Sequence, residues 1–323
     1  MNYLSLFNGI SCGNLAINRA GLPITNYFSS EIDTYANKIT MKNFPNTIQL
    51  GSVLDVKAID LPKIDVLIGG SPCQGFSFAG KQLNFQDPRS KLFFEFVRLL
   101  KECQPKYFLL ENVKMKQGYQ DFISDYLECE PIEINSSLVS AQNRKRLYWT
   151  NIPVTFLPKD KNIFLKDIIF PDAEIPCLHN IYGGFNETKP RLFFDKSPTI
   201  RTSAGGGHIP SLIHSEKALA YMDRVTANGN NHCVYGHNSN IKNPKSQCIT
   251  ANFYKGVPYN VLVTEKLIRK FHPIECERLQ TLPDNYTLCD GVSDTQRYKA
   301  IGNGWTVDVI AHIFSFIKNQ ANA

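Results

Sequence analysis

The run Ile64-Asp-Val-Leu-Ile-Gly-Gly-Ser-Pro-Cys73-Gln-Gly-Phe-Ser77 sets a cysteine just beyond two glycines and a proline at the end of an apolar stretch. The glycines leave space and the proline fixes the backbone, which suits a positioned nucleophile. A cysteine by itself is more often a small buried core residue, so its neighbours decide its reading. Residues 107–110 form a second apolar stretch that ends in Glu111-Asn112-Val113. The segment Gln142-Asn143-Arg144-Lys145-Arg146 offers two guanidiniums two residues apart, on one face if the segment is a strand. A thiol, an acid and fixed cations at the rim of one sheet amount to a site for attack on an electron-poor ring. The cations favour the thiolate, and the acid can donate to a ring nitrogen as charge develops.

A second group of residues lies at the N-terminus. Leu4-Ser5-Leu6-Phe7-Asn8-Gly9-Ile10-Ser11-Cys12-Gly13 has the pattern of a strand, a glycine turn and a helix start. Glu31 follows Gly9 by 22 residues, at the end of the next strand-like run, where an acid can hold ribose hydroxyls. The G-x-G-x-x-G form expected for NAD is missing. For metals the best candidate is His232, Cys233 and His237 in NHCVYGH, but no second ligand pair stands at zinc spacing and no metal is expected. Nine cysteines with no C-x-x-C pair exclude a full disulfide framework.

These residues need a scaffold, and two textures along the chain supply it. As far as about Thr150, apolar strand-like runs alternate with helix-like stretches, which predicts β-α units and a parallel sheet covered by helices. Residues 64–68 are nearly all apolar, as for a strand buried on both faces. Asp87 can cap the helix that follows, Pro88 fits its first position, and Leu92, Phe93, Phe96, Val97, Leu99 and Leu100 recur at helical spacing. From about 160 to 265 the chain is rich in Gly, Asn, Ser and Pro with short strand-like pieces, which predicts an irregular, mainly β domain. Helical patterns return at 264–280 and in the final stretch with Val307, Ile310, Ile313, Phe314 and Ile317 on one face. The expected fold is therefore one α/β domain built from both ends of the chain, with a second domain inserted.

Charge follows the same division. Residues 159–270 hold 15 Lys or Arg against 9 Asp or Glu, and the rest holds 20 of each, so the whole +6 excess lies in the irregular block. Such a block suits contact with phosphate. No stretch approaches 18 apolar residues, and the N-terminal run lacks a basic n-region, so no membrane association is expected.

Ser-Pro-Cys73-Gln, Glu111-Asn112-Val113, Gln142-x-Arg144-x-Arg146 and Gly302-Asn303-Gly304 together resemble the ordered motif set of DNA cytosine-5 methyltransferases. Phe7-x-Gly9 and Arg278-Leu279-Gln280-x-x-Pro283-Asp284 match further motifs in the same order. The variants around Phe7–Gly13 and Gly304-Trp305-Thr306-Val307 lean toward those of the animal de novo enzymes and some bacterial and phage relatives.

The resemblance implies a Rossmann-like, class I S-adenosylmethionine-dependent methyltransferase domain at 1–165 plus 288–323. It also implies an inserted, smaller, mainly β target-recognition domain at 166–287. Cys73 would attack C6 of cytosine, Glu111 would hold N3 and the exocyclic amine, and Arg146 would hold O2 with Arg144 in support. Phe7, Gly9, Ile10, Glu31, Ile32, Ser52, Val53, Pro72, Leu92, Asn303 and Trp305 would bind S-adenosyl-L-methionine, which leaves as S-adenosyl-L-homocysteine. Residues 74–89 resemble a mobile loop that closes over DNA.

Ser52 stands where the family commonly has an aspartate, and Ser11 and Cys12 replace the commoner glycine pair. Arg191, Arg201, Arg224, Asn228, Asn230 and Asn231 are base-edge candidates by residue type, with close backbone approach to DNA expected at 205–208 and 228–232. The implied partner is double-stranded DNA, met by a cytoplasmic, nucleoid-associated monomer in a bacterium or phage-infected host. A cognate restriction endonuclease would act separately, or the enzyme would be an orphan. Two other readings are cytosine methylation in tRNA and a non-catalytic DNA-binding homologue, the latter disfavoured by the joint presence of Cys73, Glu111 and Arg146.

Overall fold

The computed structural model describes residues 1–71, 88–170 and 271–321, with short strands at 178–180, 191–193, 210–212, 262–264 and 267–269 between them. In chain order the strands are β1 (Asn2–Leu6), β2 (Asn26–Ser30), β3 (Ile48–Gly51), β4 (Val66–Gly69), β5 (Tyr107–Val113), β6 (Ile132–Asn135), β7 (Lys145–Thr150), β8 (Leu178–Asn180), β9 (Arg191–Phe193), β10 (Pro210–Leu212), β11 (Leu262–Thr264) and β12 (Leu267–Arg269). The helices are α1 (Cys12–Ala20), α2 (Thr34–Asn43), α3 (Pro88–Cys103), α4 (Gln117–Leu127), α5 (Pro273–Leu279), α6 (Asp294–Asn303) and α7 (Val307–Ala321). The chain divides into one compact unit of Met1–Ile134, Lys145–Leu157 and Val307–Ala323, and another of Asn135–Arg144 and Pro158–Thr306.

The first unit carries the expected Rossmann-like α/β sheet, in the order β3-β2-β1-β4-β5-β7-β6. Strands β3, β2, β1, β4 and β5 run parallel. Tyr3, Leu4, Leu6, Val66, Leu67 and Ile68 are wholly buried, as strands covered on both faces require. The chain builds β1, β2 and β3 outward in one direction and then returns to set β4 on the other side of β1. Ligands of open α/β sheets bind at such a reversal, beyond the carboxyl ends of the strands. Phe7 follows one of these two strand ends, and Gly70 and Ser71 follow the other.

Gly69 closes β4 against α3. A Cβ there would lie 3.0 Å from Phe96 Cδ2 and 3.2 Å from the Leu6 carbonyl oxygen, so a larger residue would force Phe96 or the strand to give by a few tenths of an ångström. Helix α3 starts at Pro88 as the sequence predicts and buries Phe93, Phe96, Val97 and Leu99. The capping residue expected for it, Asp87, lies outside the described residues.

Three expectations are corrected. The sheet is mixed, because β7 pairs antiparallel with β5. Only residues 136–144 connect β6 to β7, shorter than the dozen or more that a parallel crossover needs. Strand β5 also runs on to Val113, so Glu111 sits inside the strand rather than at its terminus. Its parallel neighbour β4 ends opposite Leu110, but β7 supplies partners as far as Val113. Finally, 264–280 is not one helix. Strands β11 and β12 pair antiparallel there, and α5 begins only at Pro273, whose ring is tolerated in a first turn and not in a helix interior. His272 and Glu275 form the capping box that fixes this start.

In the second unit β8 pairs antiparallel with both β9 and β10. Helices α5 and α6 are joined by a buried charge network. Glu277 Oε1 accepts from the Thr287 amide at 2.8 Å, the Thr287 hydroxyl and Arg297 Nη2 at 3.2 Å. Arg297 also reaches Asp294 at 3.0 Å. With both the Glu277 and the Arg297 side chain almost fully excluded from water, removing Arg297 would leave the buried Glu277 carboxylate without its cation.

Candidate active site

Glu111 and Arg146 come together because β5 and β7 are antiparallel. Val113 lies opposite Arg146 and Glu111 opposite Tyr148, so Glu111 and Arg146 are diagonal neighbours on one face. Arg146 Nε stands 3.0 Å from Glu111 Oε1, with side chains only 7% and 12% exposed. Such a pair is screened by water and salt much less than a surface ion pair. It presents a carboxylate and a guanidinium side by side, the pattern that matches an amino group next to a ring carbonyl.

Arg144 is placed differently from Arg146. Strand β7 begins at Lys145, so the same-face relation expected for the two arginines does not hold. Arg144 is buried in the second unit, and its Nη2 donates to the Gly304 carbonyl oxygen at 3.0 Å. This geometry makes it a brace for the turn after α6.

Cys73 and Pro72 lie outside the described residues, as do residues 74–87. Ser71, the last described residue before them, is held in place. Asn112, beside Glu111 in β5, donates through Nδ2 to the Ser71 carbonyl oxygen at 3.3 Å and to Ser71 Oγ at 3.2 Å. Both residues are buried. One strand therefore carries the acid and anchors the residue two positions before the cysteine. Of the expected loop, residues 88 and 89 belong to α3.

The N-terminal turn is built for close approach. Phe7, Gly9 and Ser11 all have positive φ, at 54°, 57° and 60°. Two of the three are not glycine, which costs backbone energy unless the surroundings hold them. A buried polar chain does so. The Tyr27 hydroxyl donates to Asn8 Oδ1 at 2.9 Å, Asn8 Nδ2 donates to Ser11 Oγ at 2.7 Å, and Ser11 Oγ meets Thr40 Oγ1 at 2.9 Å. Ser11 thus replaces a glycine's conformational freedom with side-chain bonds.

Glu31 closes this turn. Its Oε2 accepts from the Gly9 amide at 2.7 Å, and its Oε1 accepts from the amides of Ile32 and Asp33 at 2.8 Å each. A carboxylate has about four acceptor positions, so Oε2 keeps one for a hydroxyl donor. Ile32, 77% exposed, is a large apolar side chain offered to solvent directly beside it. In Glu31→Gln one amide acceptor becomes a donor, and nucleoside affinity should fall about tenfold to a hundredfold, as for a lost hydrogen bond to a charged group. Calorimetric titration with S-adenosylhomocysteine checks this, and an unchanged affinity would remove Glu31 from the site.

The other cofactor candidates lie in several separate parts of the chain. Ser52 is half-buried and its Oγ accepts from the Leu54 amide at 3.3 Å, capping the short 3-10 turn Val53–Asp55. Val53 is buried and Leu92 packs against the same core cluster. Ile10 is buried within the core of the first unit. Asn303 ends α6 with an exposed side chain, and Trp305 is half-buried in the second unit. Sequence reasoning missed Arg98, which bonds the Val53 and Val56 carbonyl oxygens at 3.4 and 3.0 Å and so ties that turn to α3. It also missed Asn8, Thr40 and Asn112 as positioning groups. Only the pattern of polar residues inside otherwise apolar runs could have signalled them.

A family model for C-5 cytosine-specific DNA methylases matches residues 1–122 and 136–319. The chain belongs to that family. The type II methyltransferase M1.ScrFI of Lactococcus lactis subsp. cremoris is 30% identical over 326 residues, covering 95% of this chain and 75% of that protein. The type II methyltransferase M.HhaI of Haemophilus parahaemolyticus is 27% identical over 345 residues, covering 100% and 95%. Among solved structures, the Entamoeba histolytica methyltransferase EhMeth matches with a TM-score of 0.66 and 18% identity over 99% of this chain and 98% of that one, a likeness of fold. The methylase is thus a DNA cytosine-5-methyltransferase by family. Among its described residues, no single helix is long and apolar enough to cross a membrane. The base-edge candidates Arg201, Arg224, Asn228, Asn230 and Asn231 and the cluster His232, Cys233 and His237 lie outside the described residues, and Arg191 is placed only as part of β9.

Proposed function

We propose that this methylase transfers a methyl group to C5 of a cytosine flipped out of duplex DNA, through a covalent adduct on Cys73. The observation that carries the proposal is the buried Glu111–Arg146 pair on the strand whose Asn112 anchors Ser71. Cytosine presents its amino group, N3 and O2 along one edge. Glu111 would accept from the amino group and hold a proton at N3, while Arg146 would donate to O2. Both contacts strengthen as negative charge moves onto the ring.

The cysteine sulfur would bond to C6, and the C5–C6 electron pair would then be available at C5 to form the new bond to the methyl carbon. Loss of the C5 proton and of the C6–S bond restores the aromatic ring and the thiolate. Because C5 and C6 lie inside the stacked duplex, the base must leave the helix to reach these residues.

The first unit fits a nucleoside cofactor. Glu31 is oriented by three amides with an acceptor position left, the turn at Phe7–Ser11 is preformed, and Ile32 offers an apolar surface. S-adenosylmethionine, when bound, supplies a methyl group on a sulfonium and leaves as S-adenosylhomocysteine. Glu31 would hold the ribose hydroxyls, and Ile32, Val53 and Leu92 would pack near the adenine. Ser52 already caps its own turn, so it offers the adenine amine a weaker acceptor than the family's usual aspartate. The resemblance assigns Asn303, Trp305 and Pro72 to the same cofactor.

Residues 166–287 are proposed as the target-recognition domain, on the strength of their position in the chain and the basic excess of 159–270. The enzyme would act as a monomer in the cytoplasm, paired with a separate restriction endonuclease or as an orphan. Bisulfite sequencing of DNA from cells expressing the protein should show one short word methylated at a single cytosine. In parallel, labelled methyl groups should pass to duplex DNA; labelling of tRNA alone would overturn the proposal.

A further inference from the structure

The second unit contains a polar network that neither the reaction nor the recognition of DNA requires on its face. Gln280 follows α5 and is wholly buried. Its Nε2 donates to the carbonyl oxygens of Ile301 at 3.0 Å and Gly304 at 3.2 Å. Its Oε1 accepts from Thr306 Oγ1 at 2.8 Å, and the Ser136 hydroxyl donates to Thr306 Oγ1 at 2.8 Å. The Gly304 carbonyl oxygen is the same atom that accepts from Arg144. Gln142, also wholly buried, donates to the Leu279 carbonyl oxygen at 3.1 Å, and Ser140 does so at 2.6 Å.

We infer that Gln280 and Thr306 are positioning residues that hold the Gly302-Asn303-Gly304-Trp305 turn in its binding conformation and register it with the segment leading into Arg146. The inference rests on the cofactor assignment of Asn303 and Trp305 given above.

The geometry argues for this in three ways. First, the amide of one side chain spans both ends of the turn. Gln280 Nε2 bonds a carbonyl before Asn303 and the one after it, while Oε1 takes the hydroxyl on the far side of Trp305. The backbone around both candidate ligands is therefore clamped at three points by one side chain. Second, all the clamping atoms are excluded from water, where a hydrogen bond is worth more and an unmet group costs more. Third, Arg144 and Ser136 enter the network from residues 135–144, the stretch that delivers Arg146 to β7. The turn and residues 135–144 are therefore tied together within the second unit.

Thr306→Val keeps the shape of the side chain and removes the hydroxyl, and Thr306→Ser keeps the hydroxyl. Trp149 is wholly buried, so acrylamide quenching in cofactor-free protein reports Trp305. Thr306→Val loses both the bond to Gln280 and the one from Ser136, and should raise the quenching of Trp305 and weaken S-adenosylhomocysteine binding about tenfold or more. Thr306→Ser should return both toward wild type. Ser136→Ala should move both values in the same direction by less, and it carries the test if Thr306→Val does not fold. Wild-type quenching and affinity in a variant with only a lowered melting temperature would overturn the inference, because the network would then serve stability alone. If wild-type protein shows this quenching pattern but binds no S-adenosylhomocysteine, the positioning role stands and the cofactor assignment falls.

Discussion

Cys73→Ala should bind duplex DNA like the wild type and transfer no methyl group, with a loss on the order of 10⁴-fold or more, as when an essential nucleophile is removed. The size follows from the chemistry. Without sulfur addition at C6, C5 of cytosine is not nucleophilic enough to take a methyl group. Binding should survive because duplex affinity comes chiefly from phosphate contacts made by cations. Single-turnover transfer of labelled methyl groups, a gel shift and a trap with 5-fluorocytosine duplex separate these effects. Wild-type protein should become covalently attached to the fluorinated duplex, since the fluorine at C5 cannot leave as a proton. Turnover by the variant, or the absence of an adduct on the wild type, would remove Cys73 from its role.

Glu111→Gln should lower kcat by about 10² to 10³, the usual cost of losing one group aimed at developing charge. Glutamine has nearly the same shape, so β5 and its pairing with β7 should persist. It cannot carry the charge that pairs with Arg146 at 3.0 Å. It also presents a donor where the cytosine amino group needs an acceptor. Some loss of stability should accompany the change, because a largely buried guanidinium loses its partner. The melting temperature of the variant, measured beside kcat and DNA affinity, separates that from the catalytic effect. Activity within tenfold of wild type, in a protein that melts normally, would mean that Glu111 is a structural partner of Arg146 and nothing more.

Parts of the scaffold around the candidate site were legible in the sequence, and the boundary of what could be read is physical. Local periodicity placed α3 and α7, and the spacing from Gly9 put Glu31 at the end of β2, where three amides now hold it. Those features depend on neighbours within a turn or one β-α unit. Glu111 was placed at a strand end because its own apolar run stops at Leu110. The strand continues only because β7, some 35 residues later in the chain, supplies partners. The Arg144 and Arg146 spacing suggested a common face, but β7 begins between them, and Arg144 turns to a carbonyl 160 residues away. Pairings such as Asn112 with Ser71 and Ser136 with Thr306 join residues 41 and 170 positions apart, and no pattern within a segment encodes them.

Helix α1 packs against α7 in the first unit, and Arg19 meets Asp308 at 2.6 Å across 289 positions of chain. Ala16 and Ile17 of α1 are wholly buried, as are Val309, Ile310 and Ile313 of α7. On a ribosome, the sheet and α1 emerge early, but the helix that covers α1 arrives only after every residue of 158–306 has been made. Contacts so distant in sequence form late and slowly, and until they form the apolar side of α1 stays wet. The order of synthesis therefore ties completion of the first unit to the prior synthesis of residues 158–306. A nascent chain would not close its first unit before the segment proposed to recognise the target had been made.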